Sequence, residues 1–358
     1  MEDNLTPRSR RFGVQFFLVT LLIIIAAGVG AATMYMIQVR KPLEENSNAN
    51  REIQLGMPAI TVPEVTRLAD KFKDANDDYL ADPPADAKDF IDPPTLVFCY
   101  IGQEDPEKYQ QEWKPFCDHL SKVTGKPVEY FAAKGSDEQI KAMEEGKLQV
   151  TGLNTGAVPL AVNVAGFIPV CRVPTNEEKG THIEIIVPAS SSISKLTDLK
   201  DHDLTLTEPN SNTGYKAPMV LLKSNYSLEP ERDYKIRMSG AHDASIEGIA
   251  KGEYQSAAVS ADMLYRAEQM GTIKKDGFRS IYKSENFPSA ALGYAHNLKP
   301  ELAAKVKEAL MSFDIKGTPL EQDFGTESQT KFVPVNYKDD WAVIRRIDEE
   351  CARLRPSK

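Results

Sequence analysis

The four cysteines, Cys99, Cys117, Cys171 and Cys351, include no pair at CxxC spacing. That excludes a thiolate metal knuckle or a dithiol redox motif. The chain has no GxGxxG, no Walker loop, no HExxH and no GxSxG with a matching histidine and acid. Nucleotide chemistry and hydrolysis therefore have no visible machinery. Beyond the N-terminus there is no lysine- or arginine-rich run, and the net charge is -9. This balance excludes nucleic acid as a partner. There is no internal repeat. An acidic chain of this kind that binds an anion must use local donors rather than its overall field.

What is present begins with a polar segment, residues 1–11, ending in Arg8, Arg10 and Arg11. An uncharged run rich in Leu, Ile, Val and Ala follows over residues 12–37. It is long enough to span a bilayer, which takes about 20 residues. Arginines ahead of it place the N-terminus in the cytoplasm and the rest of the chain outside. A cleaved signal peptide cut near Gly28 to Ala32 is the competing reading. The run continues apolar through Met34–Ile37, which favours an uncleaved membrane anchor. Residues 38–94 are charged and rich in Pro and Asp, as in Asp82-Pro83-Pro84, and read as a linker.

The body starts at Thr95. Leu96–Ile101 is a continuous apolar run, as in a buried parallel strand. From there strand and helix patterns alternate to a last helix over about 338–354. This predicts an α/β architecture with mainly parallel sheets. Cys99 and Cys171 fall in strand-like runs and Cys117 on an apolar helix face, which reads as buried free thiols, with one disulfide as the alternative if the body is extracytoplasmic.

Two junctions stand out, because ligands in such folds bind beyond the carboxyl ends of strands. One is Glu208-Pro209-Asn210-Ser211-Asn212-Thr213-Gly214, between the alternating Leu204–Thr207 and the apolar Met219–Leu222. Its hydroxyls, amide and glycine N–H can act as a plain helix cap. They can equally converge on an anion at the positive end of the helix dipole. The other is Asn154-Thr155-Gly156, after the strand Gln149–Leu153. His242, between a strand and a helix in Gly240-Ala241-His242-Asp243, stands at a third strand end and can donate to the same anion. Neither His119 nor His296 has a metal-spaced neighbour.

With these residues in hand, the chain resembles the phosphonate-type (PhnD-like) substrate-binding proteins of ABC importers, over about 95–335. Four segments carry the resemblance: Phe98 to Trp113 with Glu104-Asp105-Pro106-Glu107-Lys108; Glu208–Tyr215, similar to D-P-N-S-T-S-G-F/Y; Gly240-Ala241-His242-Asp243; and Ser284-Glu285-Asn286-Phe287-Pro288, similar to S-P-x-I-P. The resemblance implies a type II periplasmic binding fold. Lobe I would comprise residues 95–186 and 288–358, and lobe II residues 187–287. The chain would cross near Val187-Pro188 and near Pro288-Ser289. It implies an oxyanion site from Ser211, Asn212, Thr213, Gly214 and His242, to which the strand ends add Asn154, Thr155 and Tyr100. No catalytic residue, metal or cofactor is expected. Its partners would be a permease and an ATPase, with the membrane reached through the N-terminal helix. Where the family has a tyrosine, aromatics and an acid, this chain has Ser136, Gly152-Leu153-Asn154 and Ala290. Asp262 is a candidate replacement for an acid that reads a ligand amine. The expected ligand is phosphonate, phosphate or phosphite rather than aminoethylphosphonate. The alternative is a sensor module of the same fold.

Overall fold

A computed structural model describes residues 66–100, 106–175, 180–325 and 329–354. The apolar run 12–37 and the segment 101–105 lie outside the described residues. Among the described residues no helix is long and apolar enough to cross a membrane.

Two sheets define two lobes. The first runs β11-β4-β10-β3-β1-β2. Its strands are β1 (Leu96–Cys99), β2 (Val128–Tyr130), β3 (Val150–Leu153), β4 (Phe167–Arg172), β10 (Ala291–Ala295) and β11 (Val333–Pro334). The second runs β7-β6-β8-β5-β9. It holds β5 (Ile183–Pro188), β6 (Asp203–Leu206), β7 (Lys235–Met238), β8 (Ala257–Ser260) and β9 (Phe278–Lys283).

The sheets are mixed, not mainly parallel. β1 pairs parallel with β2 and β3, and β6 with β7 and β8. β10 is antiparallel to β3 and β4, and β5 to β8 and β9. Besides the two-residue edge strand β11, antiparallel to β4, the reversed strands are the two that follow the chain's passages between lobes. β5 is the first strand after the outward crossing, β10 the first after the return, and each is inserted inside its sheet.

The crossings themselves are hydrogen-bonded to each other, Thr181 N to Phe287 O at 2.8 Å and Phe287 N to Thr181 O at 2.6 Å. The return lies near Pro288. The outward crossing lies between Arg172 and Ile183, upstream of Val187-Pro188. That pair ends β5, and its proline marks a strand end rather than a lobe boundary.

Periodicity explains the core. In α1 (Pro106–Thr124), Trp113, Phe116 and Leu120 fall on one face and are fully buried. They pack on Phe98 of β1, with Phe98–Trp113 centroids 5.3 Å apart and Phe98–Phe116 4.8 Å. All four cysteines are buried, and none forms a disulfide among the described residues. Burial pushes the thiols of Cys99 and Cys117 up to about 12. Gly152 leaves room for the Tyr100 ring, which stacks on Trp113 at 4.2 Å.

Two further expectations need correction. Residues 66–94 are not spacer. Ala69 N donates to Asn163 O at 2.9 Å, Ile91 N to Asn297 O at 2.8 Å, and Leu68 and Leu80 pack on the core. Sparse apolar anchors suffice to dock a segment whose polar residues close its own turns, as Asp74 does on the N–H groups of Asp78 and Tyr79. The C-terminal residues do not all belong to lobe I either. After β11 the chain passes over a third time, through α9 (Tyr337–Asp340) into α10 (Ala342–Arg353). α10 packs on α4 (Ala217–Tyr226) of lobe II.

A Cβ at position 152 would lie well inside van der Waals distance of the Tyr100 ring. Gly152→Ala should therefore destabilise by about 1–3 kcal/mol through overpacking, read as a lower urea midpoint at unchanged m-value.

Candidate functional site

The three strand ends meet between the lobes. After β6 the chain turns through Ser211 into a single π turn, Asn212–Lys216, that continues as α4. The turn closes with Lys216 N donating to Ser211 O at 3.0 Å. Such wide turns recur at functional sites. Ser211 Oγ caps it, accepting from Gly214 N at 3.0 Å, so the cap reading of this stretch holds. The same hydroxyl retains a proton to donate elsewhere.

Gly214 is spatially required, since a Cβ there would collide with Thr207 and His242. It does not line the chamber. The other sequence candidates do. Tyr100, Asn154, Thr155, Ser211, Asn212, Thr213 and His242 surround one chamber of about 100 Å³. That is room on the scale of a few waters, and so of one small tetrahedral anion.

His242 opens α5 (His242–Ala250) and is buried. Its Nδ1 accepts from Ser260 N at 3.2 Å. The proton of the neutral ring is therefore on Nε2. That atom is 3.3 Å from Ser211 Oγ and 3.5 Å from Thr213 Oγ1. Burial, only partly opposed by Asp262, lowers the ring pKa to about 4. At neutral pH the imidazole is an uncharged donor.

Asn212 is 1% exposed, and neither its amide nitrogen nor its amide oxygen has a partner among the described residues. Burying an unpaired amide costs about 1–3 kcal/mol. This residue sits between the two hydroxyls that His242 faces.

The structure adds Arg266 and Thr181, which sequence reasoning passed over. Arg266 lines the chamber from α6 (Ala261–Gln269) together with Asp262, the acid that the sequence singled out. Their spacing of four was a readable signal for one helix face. Arg266 is committed elsewhere, with Nε 3.4 Å from Asp323 Oδ1. Burial alone would lower its pKa, but Asp323 and Tyr109 hold it up. Asp262 accepts from Ser260 Oγ and, at 2.7 Å, from Thr181 Oγ1. Thr181 lies in the crossing and left no signal in the sequence.

Asn154 is doubly engaged. Its Oδ1 accepts from Ala157 N at 2.8 Å, and its Nδ2 donates to Glu208 Oε1 of the other lobe. Ser136 Oγ also reaches Glu208 Oε2, at 3.3 Å, and Asn210 Nδ2 donates to Asp137 Oδ1 at 2.6 Å. Burial pushes the Glu208 carboxyl up, against the hydrogen bond from Ser136, and Asp137 adds to the rise. The lobes are thus closed on one another, with Gly156 so near Asn210 and Asn212 that a Cβ would not fit.

Two hinged α/β lobes closed over a small chamber of neutral donors define a two-lobe binding protein. Residues 98–341 match the family described as "ABC transporter, phosphonate, periplasmic substrate-binding protein", and the chain belongs to that family. The chain is 24% identical over 225 residues to the phosphonates-binding periplasmic protein of Escherichia coli K12, covering 61% of this chain and 66% of that one. The fold is similar to a binding protein component of an ABC phosphonate transporter from Pseudomonas aeruginosa. That similarity has a TM-score of 0.61 at 20% identity, over 74% of this chain and 97% of that one. It is also similar to PhnD1 of Prochlorococcus marinus, solved in complex with methylphosphonate. Here the TM-score is 0.62 at 15% identity, over 73% of this chain and all of that one.

The His242 ring gives a signed pH effect. Its folded pKa of about 4 lies below the ordinary imidazole value of about 6.5. Between these the unfolded chain binds more protons, so this site's contribution is full above the window and falls as pH drops through it. The loss is at most roughly 3 kcal/mol. His242→Gln should flatten the fall in unfolding free energy between pH 7 and pH 4.5 relative to wild type. His119 and His296, also lowered by burial, remain in both proteins and cancel in the comparison.

Proposed function

We propose that this protein is the extracytoplasmic receptor of an ABC importer for a small phosphorus oxyanion: a phosphonate, phosphate or phosphite. The observation that carries this is the buried, unpartnered amide of Asn212, set between Ser211 and Thr213 at a helix N-terminus with neutral His242 behind them. A tetrahedral oxyanion offers many lone pairs, and hydroxyl, amide and imidazole N–H donors meet them with charge-assisted bonds. The helix dipole adds a mild positive field. Closure of the lobes excludes water and commits the ligand. A membrane permease and an ATPase would then complete transport.

The tail side of the site favours a short ligand. Ser136 is spent on Glu208, the space above Gly152 is filled by Tyr100, and Ala290 lines the chamber without an acid. Little remains to read an aminoalkyl chain. Catalysis is disfavoured by the same geometry. In a nucleophile–base pair the histidine nitrogen facing the hydroxyl must be unprotonated. Here the Ser260 N–H occupies Nδ1, so Nε2 facing Ser211 carries the proton.

The test is a thermal-shift series on the full-length chain with methylphosphonate, phosphite, phosphate, aminoethylphosphonate and sulfate. A ligand at 100 times its Kd stabilises by about 2.7 kcal/mol, several degrees for a body of this size. At least one of the first three should give that shift. Ser211→Ala with Thr213→Ala should abolish it and leave the unliganded melting point within a few degrees. A shift with aminoethylphosphonate alone overturns the short-ligand reading. No shift with any phosphorus oxyanion overturns the receptor reading.

A further inference from the structure

Behind the chamber lies a buried polar cluster whose bonds to main-chain carbonyls hold both halves of the site. Lys216, the last residue of the π turn, is 3% exposed at its side chain. Its Nζ donates to Gly156 O of lobe I at 2.7 Å and to Asp348 Oδ1 of α10 at 2.6 Å. Its own backbone N–H donates to Ser211 O at 3.0 Å. One residue thus ties the main chain of the lobe II grip to the main chain of the lobe I turn. Seven residues before Asp348, fully buried Trp341 donates Nε1–H to Thr155 O at 2.9 Å. The carbonyls of Thr155 and Gly156, two consecutive residues, are therefore both held from behind.

We propose that the C-terminal helix α10 is a positioning brace for the oxyanion site, fixing the Asn154–Gly156 turn against the Ser211–Thr213 grip through Lys216, Asp348 and Trp341. The bland reading is a buried ion pair that serves stability alone. That reading is weak on energetic grounds, because apolar residues of similar volume often replace such a pair without loss. It also leaves unexplained why the ammonium reaches across to a lobe I carbonyl. α10 packs on α4 of lobe II while Trp341 holds lobe I. Opening the cleft must break the Lys216–Gly156 bond, the Trp341–Thr155 bond, or the packing of α10. The brace therefore biases the chain toward the closed form and raises affinity for the ligand without touching it. The effect on affinity rests on the oxyanion reading above; the effect on closure does not.

The test separates fold stability from positioning. Lys216→Met alone strands a buried carboxylate, so the informative variant is Lys216→Met with Asp348→Leu. Its melting point should stay within a few degrees of wild type. Its Kd for methylphosphonate should weaken at least tenfold, because Gly156 O has lost its donor. Spin labels at Lys141→Cys in lobe I and Lys274→Cys in lobe II, both exposed sites, report closure directly. The native cysteines are buried and stay unlabelled. In the ligand-free protein the double variant should show a longer interlobe distance than wild type. Should that variant not fold, Trp341→Phe keeps an aromatic ring in the core, removes the bond to Thr155 at the cost of some packing, and should move both readouts the same way. Wild-type Kd and wild-type distance in a folded variant overturn the brace. If wild type itself does not bind methylphosphonate, the ligand reading fails at that probe, and the ligand-free distance still decides the brace.

Discussion

Everything at this site depends on two backbone turns being able to touch. Gly156 of lobe I lies so close to Asn210 and Asn212 of lobe II that no side chain could stand between them. That approach brings the donors of one lobe to the carbonyls of the other. It is possible because both turns follow strands whose carboxyl ends face the cleft, as is general for open α/β sheets. The paired crossing strands, joined through Thr181 and Phe287, set where the two sheets can meet. Side-chain chemistry then acts on a geometry that a missing Cβ allows.

The second constraint is electrostatic. A protein with net charge -9 has an anion-sized chamber whose one lining cation among the described residues, Arg266, is already held by Asp323. The remaining donors are neutral. His242 is neutral because burial makes its charged form unfavourable, and the Ser260 N–H decides which nitrogen keeps the proton. Lys216, at the end of the π turn, is matched by Asp348. Both of these cations are thus compensated, the lining carboxylate of Asp262 accepts, among the described residues, only from the Ser260 and Thr181 hydroxyls, and selectivity falls to the number and direction of hydrogen bonds. That is a suitable basis for telling one oxyanion from another, since shape and protonation state change bond count more than they change net charge.

Much of this was legible in the sequence. Strand–helix alternation gave nearly every element of the body. The small polar junctions at Ser211, Asn154 and His242 were visible because each falls where one periodicity gives way to another. What could not be read was long-range. The insertion of β10 between β3 and β4 depends on pairing across more than a hundred residues. Lys216 and Asp348 meet over 132 positions, and nothing local marks either as a partner. Asn154 looked like a ligand group, but its amide is taken at both ends. A sequence shows which atoms a turn offers, and only the packed lobes show which are spent. The docked segment 66–94 was missed for a related reason. Its composition is that of a linker, and a few apolar anchors with self-capped turns outweigh composition.

The seam that closes the lobes carries its own opposing terms. Glu208 accepts from Asn154 and Ser136, yet its carboxyl is buried and its pKa rises, with Asp137 adding to the rise. Hydrogen bonds that favour closure are therefore offset in part by the desolvation of the group that accepts them. Asn212 adds a second unfavourable term, a buried amide without a partner. Both penalties fall on the closed form, and only the second is relieved by an occupant that supplies acceptor and donor atoms. A receptor of this kind needs that balance. The observed affinity is the intrinsic affinity scaled by the population of the competent form. Too stable a closed form would hold its ligand against release, and too unstable a one would never bind it. In the proposed receptor, the contacts between the lobes set the baseline, the orphan amide makes closure depend on the ligand, and so the same few residues that would hold the anion also decide when the cleft stays shut.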